Sequence, residues 1–162
     1  MSKRVKELNL QMRADLMRTY REVAPKCWRQ IDAYRRTVKH EAPRFYVSPK
    51  QAYQIILPML DGDTRITDKM PIRKRMMYKE LYERVLEAAQ RREFIGKSLW
   101  FIIPWVVSQP APEFYLSVEQ MKKIFNEEKG WRRRERKWNG LLKRYEYVDE
   151  MVSKEGGEYV GR

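Results

Sequence analysis

The chain predicts an all-α, internally duplicated helical domain with two extended Pro-aromatic corners, and three observations predict it. Ala42-Pro43-Arg44-Phe45-Tyr46-Val47-Ser48, followed by Gln51, returns 69 positions later as Ala111-Pro112-Glu113-Phe114-Tyr115-Leu116-Ser117, followed by Gln120. Two copies of such a motif argue for two related helical units packed about a pseudo-twofold axis. Apolar residues recur at spacings of three and four along most of the chain, which is the period of an amphipathic helix. No stretch reads as a sheet, although the two Phe-Tyr corners are placed to pair as a small two-stranded ribbon. At 162 residues the chain fits one domain with a real core. That domain is expected over 1–153, with repeat units of about 27–92 and 96–153 and a flexible tail at 154–162.

The first helix follows from Val5, Leu8, Met12, Leu16, Tyr20 and Val23, one apolar stripe beneath a basic outer face of Lys3, Arg4, Lys6, Arg13, Arg18 and Arg21. Pro25 interrupts it, because proline deletes a donor and pushes Ala24 from helical angles. Cys27, Ile31, Tyr34 and Val38 give a second stripe, with Arg29, Arg35, Arg36 and Lys39 mostly off it. Pro43 then extends the chain. Ser48 caps the next helix, Pro49 suits its first position and Gln51 completes a capping box. That helix runs to about Leu60 with Tyr53, Ile56 and Leu60 inward, and stops at Asp61-Gly62.

Residues 61–70 form a polar loop, with Thr67 or Asp68 as the cap of a helix over roughly 71–92 whose inner face holds Met77, Leu81, Val85 and Ala88. Leu99 to Ser108 is apolar nearly all round, the mark of a helix buried on several sides, with Pro104 near its middle. Ser117 and Gln120 form the second capping box, opening a helix to about Lys129-Gly130. A last helix is expected over about 131–153, carrying Trp131, Trp138, Leu141, Leu142, Tyr145 and Val148.

Charge speaks to partners. The net charge is +13, and residues 1–60 alone carry 13 basic and 5 acidic side chains. Such a field attracts polyanions and neutralises phosphates whatever the sequence; an acidic protein would meet the same demand. The densest cluster is Arg132, Arg133, Arg134, Arg136, Lys137, Lys143 and Arg144 beside Trp131 and Trp138. Guanidinium forks suit phosphates, and an indole beside them can stack on a base. Arg73, Lys74 and Arg75 form a second group at a helix start, where cations oppose the macrodipole. The structural repeat residues Phe45, Tyr46, Ser48, Gln51, Phe114, Tyr115, Ser117 and Gln120 read as packing and capping, since they recur while Arg44 becomes Glu113.

Catalysis is not expected. One histidine, His40, and one cysteine, Cys27, rule out a His/Cys metal set. Asp61, Asp63 and Asp68 have turn chemistry as their ordinary role. No Gly-rich phosphate loop or nucleophile elbow occurs, and a Tyr nucleophile such as Tyr46 would need supporting groups. No cofactor is expected. A lone cysteine, the lack of a basic-then-apolar leader and a longest apolar run broken by Pro104 fit a reducing interior and no membrane partner.

Around Ala42–Leu60 and Pro110–Phe125 the chain resembles uncharacterised small basic helical proteins of Bacteroidales phages and mobile elements, through the doubled Pro-Arg/Glu-Phe-Tyr-Val/Leu-Ser signature. The resemblance implies a mobile-element or virion setting, in the bacterial cytoplasm or a particle, and no catalytic residues. The expectation is a non-catalytic nucleic-acid-binding protein gripping the phosphate backbone of DNA or RNA through basic helices. Two alternatives stand beside it. One is a structural or adaptor protein of a phage particle, with a protein partner or homo-oligomer. The other is an accessory subunit of a recombinase, reverse transcriptase or packaging motor.

Overall fold

Ser2 opens the first helix of the computed structural model, which describes residues 2–128 and the strands 133–139 and 144–150. Its hydroxyl accepts the Val5 N–H at 3.3 Å, and α1 follows over Lys3–Val23. Pro25 turns the chain through one 3-10 turn, Ala24–Lys26, before α2 (Gln30–Val38). The remaining helices are α3 (Pro49–Leu60), α4 (Arg65–Asp68), α5 (Ile72–Ala89), α6 (Leu99–Val107) and α7 (Val118–Glu128). The fold is mostly helical. Two compact units divide it, Met1–Met121 and Lys122–Arg162.

In the first unit α1 packs on α2, while α3, α5 and α6 pack on one another. Leu16, Tyr34, Val38, Ile56, Leu81, Val85, Ile103, Val106 and Val107 fill the core, and burying each such side chain is worth about 1.5–3 kcal/mol. The two corners lie between these groups. Ala42 and Ala111 exchange backbone hydrogen bonds, each 2.9 Å, in a one-residue antiparallel bridge. Phe45 N–H donates to the Val107 carbonyl at 3.0 Å, and Phe114 N–H donates to the Val38 carbonyl at 3.0 Å. Phe45 stacks with Tyr115 at 6.4 Å, and Tyr46 with Phe114 at 6.0 Å. A shift of 69 positions exchanges the two Phe backbone bonds, and likewise the two ring stacks. The same offset relates both ends of α2 to those of α6 and the starts of α1 and α3 to those of α5 and α7.

Both serines cap their helices, but the capping box expected of Gln51 does not close, since among the described residues Gln51 returns no side-chain bond to the Ser48 N–H. Ser48 Oγ accepts the Gln51 N–H at 3.2 Å. Ser117 Oγ accepts the Gln120 N–H at 3.1 Å while Gln120 Oε1 accepts the Ser117 N–H at 2.9 Å, a full capping box. Gly62, at φ +80°, closes α3 by donating to the Met59 carbonyl at 3.0 Å, a left-handed position that glycine takes without strain.

Four expectations are corrected. The helix over 131–153 is instead an antiparallel hairpin of β1 (Arg133–Asn139) and β2 (Arg144–Glu150). Its apparent helical spacing runs straight through Asn139-Gly140, which is a hairpin signal. Tyr145 and Tyr147, two residues apart, suit strand alternation. The polar loop contains α4, and neither Thr67 nor Asp68 caps α5. Thr67 is buried with its hydroxyl donating to the Thr64 carbonyl at 3.0 Å, and Pro71 stands at the α5 N-cap. Leu60, expected inward, is exposed on the terminal turn of α3. In α6, Ile102, Ile103, Val106 and Val107 are buried but Trp100 and Phe101 are exposed, so its uniform hydrophobicity does not mean burial on every side.

Candidate nucleic-acid interface

Pro25 ends α1 and the turn swings the chain outward, so Cys27 and Arg29 both take extended backbone angles before α2 begins. Lys26, Trp28 and Arg29 are exposed there. One face of α2 buries Ala33, Tyr34, Thr37 and Val38, and the Tyr34 ring meets Tyr20 of α1 at 5.7 Å. Its other face leaves Arg35, Arg36 and Lys39 in solvent. Helix period does this: residues three and four apart share a face, so the charged positions gather where the core positions are absent.

Residues 24–40 carry five cations (Lys26, Arg29, Arg35, Arg36, Lys39) against the single carboxylate of Asp32, a local charge of +4. Arg29 donates to Asp32 at 3.0 Å, with Arg35 at 3.6 Å. The Arg29 hydrogen bond, opposed by partial desolvation, holds the Asp32 carboxyl below its ordinary pKa. Lys26, Arg36 and Lys39 join no ion pair among the described residues. A groove of about 850 Å³ runs between Glu22, Lys26, Arg35, Arg36, Lys39 and His40, with Val23 and Val118 also lining it. A neighbouring cleft of about 400 Å³ is lined by Lys26, Cys27, Trp28, Asp32, Arg35 and Arg36.

The matching pair α5–α6 carries different chemistry. Where α2 and the residues after it have Arg35, Arg36, Lys39 and His40, the positions 69 later are Pro104, Trp105, Ser108 and Gln109. A cleft of about 640 Å³ there is lined by Glu41, Glu80, Glu83 and Glu87 with Arg84, Arg91 and Trp105. Its cations serve the fold. Arg84 donates to Glu80 at 2.9 Å and to the Pro110 carbonyl at 2.7 Å, and lies 5.4 Å over the Phe45 ring. Arg91 lies 4.8 Å over Trp105.

The residues singled out by sequence are distributed as follows. Arg133, Arg134, Arg136, Lys137 and Trp138 lie on β1 and Arg144 on β2, so they share a two-stranded ribbon and not one helix face. The ladder sets Arg133 opposite Glu150, Arg134 opposite Asp149 and Lys137 opposite Glu146. With five cations and four carboxylates on the two strands, the ribbon's net charge is only +1. Trp131, Arg132 and Lys143, and the 154–162 tail, lie outside the described residues. Arg73, Lys74 and Arg75 are exposed in the first turn of α5, beside exposed Ile72 and Met76. Sequence reasoning missed the α2 face and Trp28. The signal was present in the cations lying off the α2 apolar stripe, but spacing alone does not reveal that Trp28 is exposed.

The remaining candidates are engaged locally. Tyr46 donates to Asp15 at 2.6 Å, Arg18 also pairs with Asp15, and Asp15 is buried. Burial, and then the Asp15 contact, push the Tyr46 phenol well above its ordinary pKa, which is the wrong direction for a nucleophile. Asp63 grips Arg65 at 2.9 and 3.0 Å, and that bonding holds its pKa down to about 2. Asp68 accepts from Thr64 at 3.0 Å. Among the described residues no group of three or more His, Cys, Asp and Glu side chains could hold a metal, and no helix is long and apolar enough to cross a membrane. No protein-family model, curated protein or solved structure matches the chain.

Proposed function

We propose that this chain is a non-catalytic nucleic-acid-binding protein that neutralises phosphates with the α1–α2 face. One observation carries the reading: Arg35, Arg36 and Lys39 stand exposed where the matched helix α6 and its C-cap have Pro104, Trp105 and Ser108. Helices with the same bounds form without those cations, so the fold does not need them. Like charges crowded on one face repel each other, and a polyanion relieves that repulsion while releasing its own counterions. The offset of 69 supports reading the two stretches as related copies whose matched helices bury the same positions and differ in the charge of their exposed faces. The phage or mobile-element setting rests on the sequence resemblance alone.

Gel shift against duplex DNA and RNA of arbitrary sequence tests this. The triple variant Arg35→Ala, Arg36→Ala, Lys39→Ala binds at least about tenfold more weakly at moderate salt, because each phosphate left unneutralised subtracts its share of counterion release. Unchanged affinity contradicts the reading. A second reading, a structural or adaptor protein, is favoured by the exposed Ile95, Trp100 and Phe101 of the second half, since exposed apolar groups mark protein contacts. Light scattering that shows a large assembly without nucleic acid would support it.

A further inference from the structure

Resting on the nucleic-acid reading above, we propose that Trp28 is a base-stacking residue, and that the α1–α2 face takes single-stranded nucleic acid in preference to intact duplex. Trp28 is 102% exposed, although an indole is among the side chains that gain most from burial. The two other tryptophans with described side chains both have aromatic company. Trp100 stacks on Tyr53 at 4.2 Å and 14°, and Trp105 meets Phe94 at 5.0 Å. Extended backbone at Cys27 and Arg29 holds residue 28 out between the turn and α2.

Its surroundings are cationic. Trp28 shares its cleft with Lys26, Arg35 and Arg36, and the cleft's one carboxylate, Asp32, is answered by Arg29 and Arg35, which leaves Lys26 and Arg36 without an ion pair among the described residues. At the matching position the second half has Lys97, whose ammonium lies 5.2 Å over the protein's own Phe101. Among the residues with described side chains, a fully exposed indole lies beside cations that join no ion pair, Lys26 and Arg36, only here. Cations serve duplex and single strand alike. A free indole face serves only a base whose own face is free, because bases inside a duplex are covered by their neighbours. An anionic membrane also attracts lysine, arginine and tryptophan, but insertion needs an apolar helix face. The outer face of α2 is Asp32, Arg35, Arg36 and Lys39, so nucleic acid is the occupant that fits.

Oligothymidylate and a blunt duplex of the same length, read by fluorescence anisotropy and by tryptophan quenching, test the proposal. Trp28→Ala weakens oligothymidylate binding about tenfold, within a range of about 5- to 150-fold for one stacked base. Duplex affinity stays within about twofold. Trp28→Phe retains most of the single-strand affinity, and either variant loses the quench that wild type shows. Equal losses on both nucleic acids, or no loss with the quench intact, overturn the proposal. So does a blue-shifted Trp28 emission on phosphatidylglycerol vesicles without single-strand preference. Arg36→Ala with Lys39→Ala separates the two readings. If that variant weakens both nucleic acids and Trp28→Ala weakens neither, phosphate binding stands and stacking falls. If wild type binds neither, both fall.

Discussion

Helices α2 and α6 have bounds 69 positions apart, each nine residues long, yet they carry opposite chemistry outward. The buried side of α2 is Ala33, Tyr34, Thr37 and Val38, and that of α6 is Ile102, Ile103, Val106 and Val107. All four positions match at the offset of 69. On the outer side cations face solvent in one and Trp100, Phe101 and Pro104 in the other. Packing constrains what lies inside, and solvent tolerates either choice outside. A surface that differs between two otherwise matching halves is therefore where specialisation is to be sought.

The largest expected effects probe whether the corners are equivalent. Phe45→Ala and Phe114→Ala each remove a buried ring and should each cost about 3–5 kcal/mol in urea unfolding. A loss under about 1 kcal/mol at one corner beside a full loss at the other would break the equivalence. Next comes a deliberate asymmetry. Tyr46→Phe leaves the buried Asp15 without its 2.6 Å partner and should cost about 1–3 kcal/mol. Tyr115→Phe, with no hydrogen bond to lose among the described residues, should cost less than about 0.5 kcal/mol.

Alkali should unfold the first unit. Burial raises the phenol pKa of Tyr78 to about 12, and burial is also the main cause that raises those of Tyr46 and Tyr115. A phenol whose folded pKa exceeds its unfolded value of about 10 contributes stability in full below that pH and loses it as pH rises through the folded value. Tyrosinate absorbance and circular dichroism should thus change together between about pH 10 and 12. Absorbance that titrates near 10 with helicity intact would contradict the buried phenols. The smallest effects belong to the caps. Ser48→Ala and Ser117→Ala should each cost about 1 kcal/mol, because each removes the one hydroxyl that accepts the Gln51 or Gln120 N–H, while the Ser117 N–H keeps its bond to Gln120 Oε1.

Much of the helical fold was legible because its signals are local. Pro43 and Pro112 extend the chain, Ser48 and Ser117 cap, and Asp61-Gly62 stops α3, each acting on neighbours a few residues away. The hairpin was not legible as a hairpin, because three- and four-residue spacing across Asn139-Gly140 imitates a helix when the turn signal is passed over. The candidate surface failed for a related reason. Arg132–Lys137 looks like the strongest cationic site because its charges adjoin in sequence, yet the β register sets Glu146, Asp149 and Glu150 opposite that strand. The cations of α2 are spaced along the chain and converge only once wound on a helix. The exposure of Trp28 depends on how Pro25 turns the chain, and no residue pattern encodes that.

The slope of log affinity against log salt, measured by anisotropy on labelled oligonucleotide, tests the central claim most directly. Wild type should show a steep negative slope, and Arg35→Ala with Arg36→Ala and Lys39→Ala should flatten it by about 0.7–0.9 for each phosphate no longer neutralised. Arg91→Ala with Arg92→Ala, in the matched half, should leave it unchanged. Equal flattening by both variants, or a flat wild-type slope, would contradict the assignment of binding to the α1–α2 face.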